Sequence, residues 1–448
     1  MIFRTRFLKW YFIVALVIPL AYILLSYTKD SEPIASGKVR IEKTVSGYQL
    51  LKNNKPFKIK GAATDSLFLN ELSLAGANTI RVYDTLGLRK ILDEAAANDL
   101  SVMVDLPIQR CLRELCDFYE DETFIQNNLN TFDAFIKTYK DHPALLMWVL
   151  GNEVKFPKRS KSKNFYSFFN RLVKNIRKND PNHPITTAIS NSSKIQIMRI
   201  ALWCEPLDAI SFNSFGGLGN MENDLDKTSL FWKGPFIISE WGINGPWEAA
   251  SYTNWGAQIE DTSTKKAEQY VERYQQFINT DNTRFLGDIF FYWGKKQERT
   301  HTWYSTFSDD SLKTEAALAM ESIWKESKQE ESIPKIKYLL IDKKGANESL
   351  VFQPEITKEI ELVLEENGGS HTVISWEILP ENWYYRWHDV EEKPKPVFKF
   401  QDSTATRISF KTPSEPGPYR IFSYIKNAKG NYATANIPFY VLKKDKTI

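Results

Sequence analysis

The chain has 448 residues, 42% hydrophobic and 25% charged, which excludes wholesale disorder, a collagen-like repeat and a polytopic membrane protein. Basic and acidic residues nearly cancel, 58 against 55, and no basic run carries interleaved aromatics, so no nucleic-acid partner is expected. Three cysteines cannot form a disulfide scaffold, and the compositional outlier is 14% aromatic residues, rings that build cores and also stack on sugar faces.

Arg4, Arg6 and Lys9 precede an apolar run over residues 10–27, interrupted only by Pro19 and Ser26. At about 1.5 Å per residue it nearly spans a bilayer core of about 30 Å. The positive flank keeps the N-terminus inside and exports the rest. A cleaved signal has a shorter apolar region and small residues at its cut site, whereas this run ends Leu24-Leu25-Ser26-Tyr27-Thr28. The expectation is a membrane anchor over 1–28, with a cleaved signal segment as its rival and the catalytic part on the extracytoplasmic side. Export permits disulfides. Cys111 and Cys116 are five apart and read equally as a bridge or as free thiols, with Cys204 left over. No Cys/His cluster has zinc spacing, so no metal is expected.

Residues 29–49 read as linker and lead-in, and Asn53-Asn54 as a hairpin-like turn. Strand-then-helix units then repeat. The predicted strands are 57–63, 78–83, 101–108, 144–151, 185–190, 208–213, 235–240 and 286–293, mostly continuous apolar runs, as strands covered on both faces are. Helical spacing marks 88–98, 122–140, 165–178, 262–279 and 311–326, with Thr262 or Ser263 as a cap. Such units over 50–328 match a (β/α)₈ TIM barrel. A doubly wound sheet would carry a Gly-rich phosphate loop after its first strand, and Gly61-Ala62-Ala63-Thr64-Asp65 is not one. The charged segment near 330 reads as a boundary. Alternating strands over 336–341, 350–363, 371–377, 396–399, 405–411, 418–425 and 433–442 then predict an immunoglobulin-like β-sandwich over 334–448.

In a barrel, catalytic groups stand at the C-terminal ends of strands. Strand four ends in Asn152-Glu153 and strand seven in Ser239-Glu240. Two carboxylates on one rim are what glycoside hydrolysis needs, one protonated to expel the leaving oxygen and one ionised. An Asn-Glu dipeptide alone carries no weight; its position at a strand end does.

The strings GANTIRVYD, WVLGNEV, ISFNSFGG, FIISEWG and FFYWG resemble the clan of retaining (β/α)₈ glycoside hydrolases, most closely the family 2 catalytic domain. They are also similar to the β-glucanosyltransferase families. The resemblance covers roughly residues 50–325. It implies Glu153 as general acid/base, Glu240 as nucleophile, and Arg81 as the cation holding the nucleophile ionised. It further implies that Asn152 bonds the sugar 2-hydroxyl and that Trp293 floors the site. Asn213 and Asp84 are rim polar groups. Trp241, Trp247 and Trp255 lie in or beside the long loop after strand seven, where they could line sugar subsites or staple the loop. His301, Trp303 and Tyr304 could close the cleft. Trp148 and Trp376 read as core, as do Trp383 and Trp387, though the last three could also bind glycan. The family motif places a tyrosine where Phe215 stands, and Tyr83 or Tyr292 could supply that hydroxyl. No cofactor is implied. The resulting expectation is a retaining β-glycoside hydrolase or transglycosylase acting on an extracytoplasmic polysaccharide or oligosaccharide, with β-glucan as one candidate. The rivals are a catalytically silent glycan-binding protein and a scaffold of envelope polysaccharide assembly.

Overall fold

The computed structural model describes residues 38–443 except 65, 84, 112–115, 161, 329–332, 368, 370–371 and 382–391. The apolar run 10–27, Asp84, Trp383 and Trp387 lie outside the described residues. Among those described, no helix is long and apolar enough to cross a membrane.

A small antiparallel sheet comes first: β1 (Val39–Thr44), β2 (Gly47–Lys52) and β3 (Lys55–Pro56). Asn53 and Asn54 turn between β2 and β3 with φ of 52° and 62°. Asn tolerates this left-handed region because its short amide can bond locally.

The predicted barrel strands follow as β4 (Ile59–Ala63), β5 (Thr79–Val82), β6 (Ser101–Leu106), β7 (Leu145–Leu150), β8 (Ile185–Thr186), β9 (Ala188–Ser190), β10 (Ile210–Asn213), β11 (Phe236–Trp241) and β12 (Phe285–Phe290). They form one nearly closed sheet in the order β8-β7-β6-β5-β4-β12-β11-β10-β9. Its two ends, β8 and β9, are halves of the single strand expected at 185–190, parted at Thr187. That residue links both neighbours: its Oγ1 donates to Leu150 O at 2.7 Å, and its carbonyl accepts from Ser211 N at 3.0 Å. The ring thus has eight strands, and β6, β7, β11 and β12 are buried along their whole length, which is why their sequences are apolar without alternation.

The expected helices appear as Leu88–Ala97, Glu122–Tyr139, Lys163–Asn179, Ser263–Arg273 and Glu315–Lys325. Thr262 caps the fourth by accepting from Lys265 N at 3.2 Å. Leu69–Leu74, Lys194–Trp203 and Met221–Lys227 are the other α-helices among the described residues. Two of these span fewer than two turns, too few positions to display a helical period. Cys111 and Cys116 are bridged, with Cα atoms 4.8 Å apart, and Cys204 is free.

Contacts divide the chain into two compact units. The first holds the described residues up to Ile59, with Thr79–Ser239 and Asp281–Ile289; the second holds Lys60–Asn78, Glu240–Thr280 and everything from Phe290. Within the second unit the C-terminal strands form two sheets. One runs Lys313–Thr314, Asn431–Val441, Gly417–Lys426, Val373–Pro380, Phe398–Ser403, with Val351–Phe352 also paired to Asn431–Val441. The other runs Pro334–Ile341, Thr357–Asn367, Arg407–Lys411. Ile341, Ile360, Trp376, Ile421 and Phe439 belong to one core cluster drawn from both sheets. The strand expected at 350–363 is broken because Pro354 has no amide and Glu355 turns left-handed, at φ 59°.

The same unit ties these sheets to the segments after β11 and β12. Ile336 N donates to Thr264 Oγ1 at 2.9 Å, Thr434 N to Ser263 Oγ at 2.9 Å, and Arg420 Nη2 to Gln258 O at 2.7 Å. Lys313–Thr314, just ahead of the last helix, pairs in parallel with the last strand.

Gly287 lies in β12 at φ 131°, where an added Cβ would stand 2.1 Å from Ile59 O. Gly287→Ala is therefore expected to lower the unfolding free energy by about 2 kcal/mol or more, from strain and overpacking. Urea denaturation reads it; an unchanged midpoint would contradict the close β4–β12 pairing.

Candidate active site

The first unit holds a buried polar lattice inside otherwise apolar strands. Arg81 in β5 and Asp105 in β6 are both 0% exposed. The guanidinium grips the carboxylate with two bonds, Nε to Oδ1 at 3.0 Å and Nη2 to Oδ2 at 2.7 Å. A fork-to-fork pair of this kind fixes direction as well as charge. Complete burial pushes the Asp105 carboxyl above its ordinary range, and the guanidinium opposes that shift. Arg81 also donates from Nη1 to Asn213 Oδ1 at 2.9 Å and Ser239 O at 3.1 Å, and from Nη2 to Asn152 Oδ1 at 3.0 Å. Asn213 Nδ2 donates to Asn152 Oδ1 at 2.8 Å, and Ser239 Oγ to Asn213 Oδ1 at 2.8 Å. One cation thus fastens Asn152 and Ser239, the residues immediately before Glu153 and Glu240.

Glu153 leaves β7 on a tight turn. Gly151 adopts φ 74°, and an added Cβ there would meet Val154 Cγ2 at 2.5 Å. Glu153 itself sits at φ 51°, a left-handed conformation that a non-glycine residue adopts at a cost and that recurs at functional sites. Its side chain is half-buried. Arg110 Nε donates to Asn152 O at 2.9 Å and steadies the turn. With Asn152 Oδ1 occupied twice, the amide nitrogen is the half of that side chain left to donate outward.

In the second unit Glu240 is 6% exposed, within β11. Successive strand residues point to opposite faces, so Trp241 points away from Glu240. It is fully buried against Tyr270, Tyr274 and Phe290. Trp293 is fully buried too, with Nε1 donating to Phe68 O at 3.2 Å and its ring beside Phe307 and Trp324. Neither ring offers an open platform in this structure. Asn213, 2% exposed, is a member of the lattice, its Oδ1 accepting twice and its Nδ2 donating to Asn152. Trp247 differs. It is 43% exposed on the turn Pro246–Glu248, with Tyr304 beside it at 6.4 Å between ring centroids. Gly245 permits that placement, since a Cβ there would lie 2.5 Å from the indole.

Phe215, where the family motif has a tyrosine, is buried. Burial pushes the Tyr304 phenol well above the ordinary tyrosine range, with Glu298, Tyr270 and Glu240 adding to the shift, so Tyr304 is a neutral phenol within electrostatic reach of Glu240. Tyr83 lies under Arg81, whose Cζ is 4.8 Å from the ring centroid. Trp303 Nε1 holds Asn244 O at 2.9 Å. His301 bonds Tyr424 Oη at 2.7 Å, and burial takes its imidazole down to about 3. Trp255 packs at 5.9 Å from Tyr440, a loop staple. Trp148 is core, its Nε1 donating to Asp180 at 2.8 Å. Among the described residues no group of three His, Cys, Asp or Glu is arranged to hold a metal ion.

Sequence reasoning missed Asp105 and Ser239. Asp105 had a signal: it is the lone charge in SVMVDL, as Arg81 is in TIRV. Ser239 had none, because it acts through its backbone carbonyl and one hydroxyl bond.

Comparison with known proteins agrees with this geometry. The family model for the TIM barrel domain of glycosyl hydrolases family 2 matches residues 77–316. No curated protein matches the sequence. Among solved structures, a Bacteroides uniformis β-glucuronidase is 14% identical with TM-score 0.47, over 88% of this chain and 47% of that one. The Dictyoglomus thermophilum β-D-glucuronidase is 19% identical with TM-score 0.49, over 65% and 54%. A Bifidobacterium dentium β-glucuronidase complexed with coumarin-3-O-glucuronide is 16% identical with TM-score 0.48, over 64% and 49%. The chain spans about half the length of these structures. The family match covers more than half of the chain, with both glutamates, Arg81 and Asp105 inside it, and the chain belongs to glycosyl hydrolases family 2 through its TIM barrel domain.

Proposed function

We propose that the chain is a retaining β-glycoside hydrolase or transglycosylase acting on an extracytoplasmic polysaccharide or oligosaccharide, β-glucan among the candidates. The observation that carries this is the shared guanidinium of Arg81, bonded to the residues preceding both Glu153 and Glu240. Glu240 attacks the anomeric carbon while Glu153 protonates the departing oxygen, leaving a glycosyl ester on Glu240. Glu153, now a carboxylate, takes a proton from water or from a sugar hydroxyl. That oxygen attacks the anomeric carbon and releases Glu240, so two inversions give net retention. Asn152 Nδ2 is the donor for the sugar 2-hydroxyl, Trp247 a stacking platform, and Tyr304 a neutral phenol within electrostatic reach of Glu240. Export and tethering through residues 1–28 are part of the same proposal, and the Cys111–Cys116 bridge favours an oxidising compartment. Phe215 favours one second reading, a glycan binder without turnover.

Four outcomes test the proposal. Glu240→Gln should abolish turnover, whereas Glu153→Gln should cost about 10²–10⁴-fold on alkyl β-glycosides and far less on aryl glycosides, whose leaving groups need no acid. NMR of the first-formed sugar should show the β anomer; the α anomer would refute retention. Arg81→Lys keeps the charge but loses the fork, so kcat should fall by about 10²-fold with KM little changed and far-UV circular dichroism intact. Trp247→Ala should raise KM about two- to tenfold at nearly constant kcat, and an unchanged KM would remove Trp247 from the binding surface.

A further inference from the structure

Beyond the end of β12 the second unit has a partly open cavity of about 170 Å³ that the proposed chemistry does not use. Residues of the segment 295–309 line it, together with Lys393, Tyr432 and Thr434. An engineered apolar cavity of about 150 Å³ takes a benzene ring, so this space suits a six-membered ring.

Its polar groups define what fits. Lys296 Nζ lies 3.4 Å from Glu298, and Lys393 Nζ lies 2.5 Å from Glu377 and 3.6 Å from Asp309. Lys296 and Lys393 thus have carboxylate partners of their own. The hydroxyls of Thr302, Ser305 and Ser308 are engaged with Glu260, the Lys296 backbone and Leu312 N. Thr434 Oγ1 is buried with no partner among the described residues, and as a hydroxyl it can both donate and accept. Two further capacities are more selective. Lys295 bonds Asp309 O at 2.8 Å, which leaves ammonium protons to donate. Gln297 Oε1 is buried with no partner among the described residues, and such an acceptor costs about 1–3 kcal/mol while unmade. A ligand must therefore accept from Lys295 and donate to Gln297. Sulfate or a carboxylate only accepts, whereas a hydroxyl does both. Phe307 and Tyr432 add apolar ring surface of the kind that packs on pyranose C–H faces.

We propose that this cavity binds one neutral pyranose unit of a glycan, a subsite built jointly by the segment after strand eight and the C-terminal sheets. The choice of a sugar rests on the proposed function, whereas the donor and acceptor requirements come from the cavity itself.

The test uses the full chain with glutamine side chains labelled with ¹⁵N. The Gln297 amide signal is assigned by its absence in Gln297→Leu, and methyl β-D-glucopyranoside is titrated in. A saturable shift of that signal is expected, with Kd raised at least about threefold in Lys295→Met and unchanged in Glu240→Gln and Trp247→Ala. Three results would overturn the proposal: no shift, a shift insensitive to Lys295→Met, or an equal shift with inorganic sulfate. Should Gln297→Leu fail to fold, Gln297→Glu removes the same amide signal. Loss of turnover on every glycoside with a Lys295-dependent shift retained would sink the proposed function but not this subsite. Turnover without such a shift would sink the subsite alone.

Discussion

Arg81 carries a full charge to a place water does not reach, and the candidate site is arranged around the consequence. Moving such an ion out of water costs several kcal/mol, which a single attraction of about 4 kcal/mol at an effective dielectric near 20 only partly offsets. The offset comes from geometry: a bidentate carboxylate in Asp105, two amide oxygens and one backbone carbonyl around one planar fork. Those partners stand on three strands and one turn, so the requirement to satisfy one cation fixes β5, β6, β10 and β11 in register, along with the turn that leaves β7.

The C-terminal sheets belong to the same physical problem. The long segments after β11 and β12 carry Trp247, Trp303 and Tyr304, and segments of that length do not hold a shape unaided. A buried ion pair between Lys266 and Glu260, 2.5 Å apart, is shared with the hydroxyls of Thr300 and Thr302. Arg420 from the sheets pairs with Glu381 and reaches Gln258 O. The sheets therefore act as a wall on which these loops are built, and the cavity containing Lys295 and Gln297 forms where the two meet.

Much of this was legible in the residues. Continuous apolar runs such as LLMWVL and FIISEW mark strands covered on both faces, and a glutamate at or just beyond the end of such a run marks a rim. The split fifth strand, the short helices and the break at Pro354 were harder, because each rests on a few backbone hydrogen bonds with little periodic signal. The burial of Trp241 follows from the strand pleat: a residue next to an inward-facing glutamate faces the helices. Trp293 shows the opposite limit, since its burial depends on Phe68, Phe307 and Trp324 from distant segments. The Arg81–Asp105 pair could be suspected from two lone charges in apolar strands, but the reach of that guanidinium to Asn152 and Ser239 is a property of the closed sheet.

The central claim is that Glu240 becomes covalently glycosylated. Incubation with a set of 2-deoxy-2-fluoro-β-glycosyl fluorides of gluco, manno and galacto configuration, followed by peptide mass spectrometry, tests it directly. The account requires one glycosyl mass on the peptide containing Glu240, absent in Glu240→Gln. An adduct on another carboxylate, or turnover of the unsubstituted glycoside with no adduct from its fluorinated analogue, would contradict it.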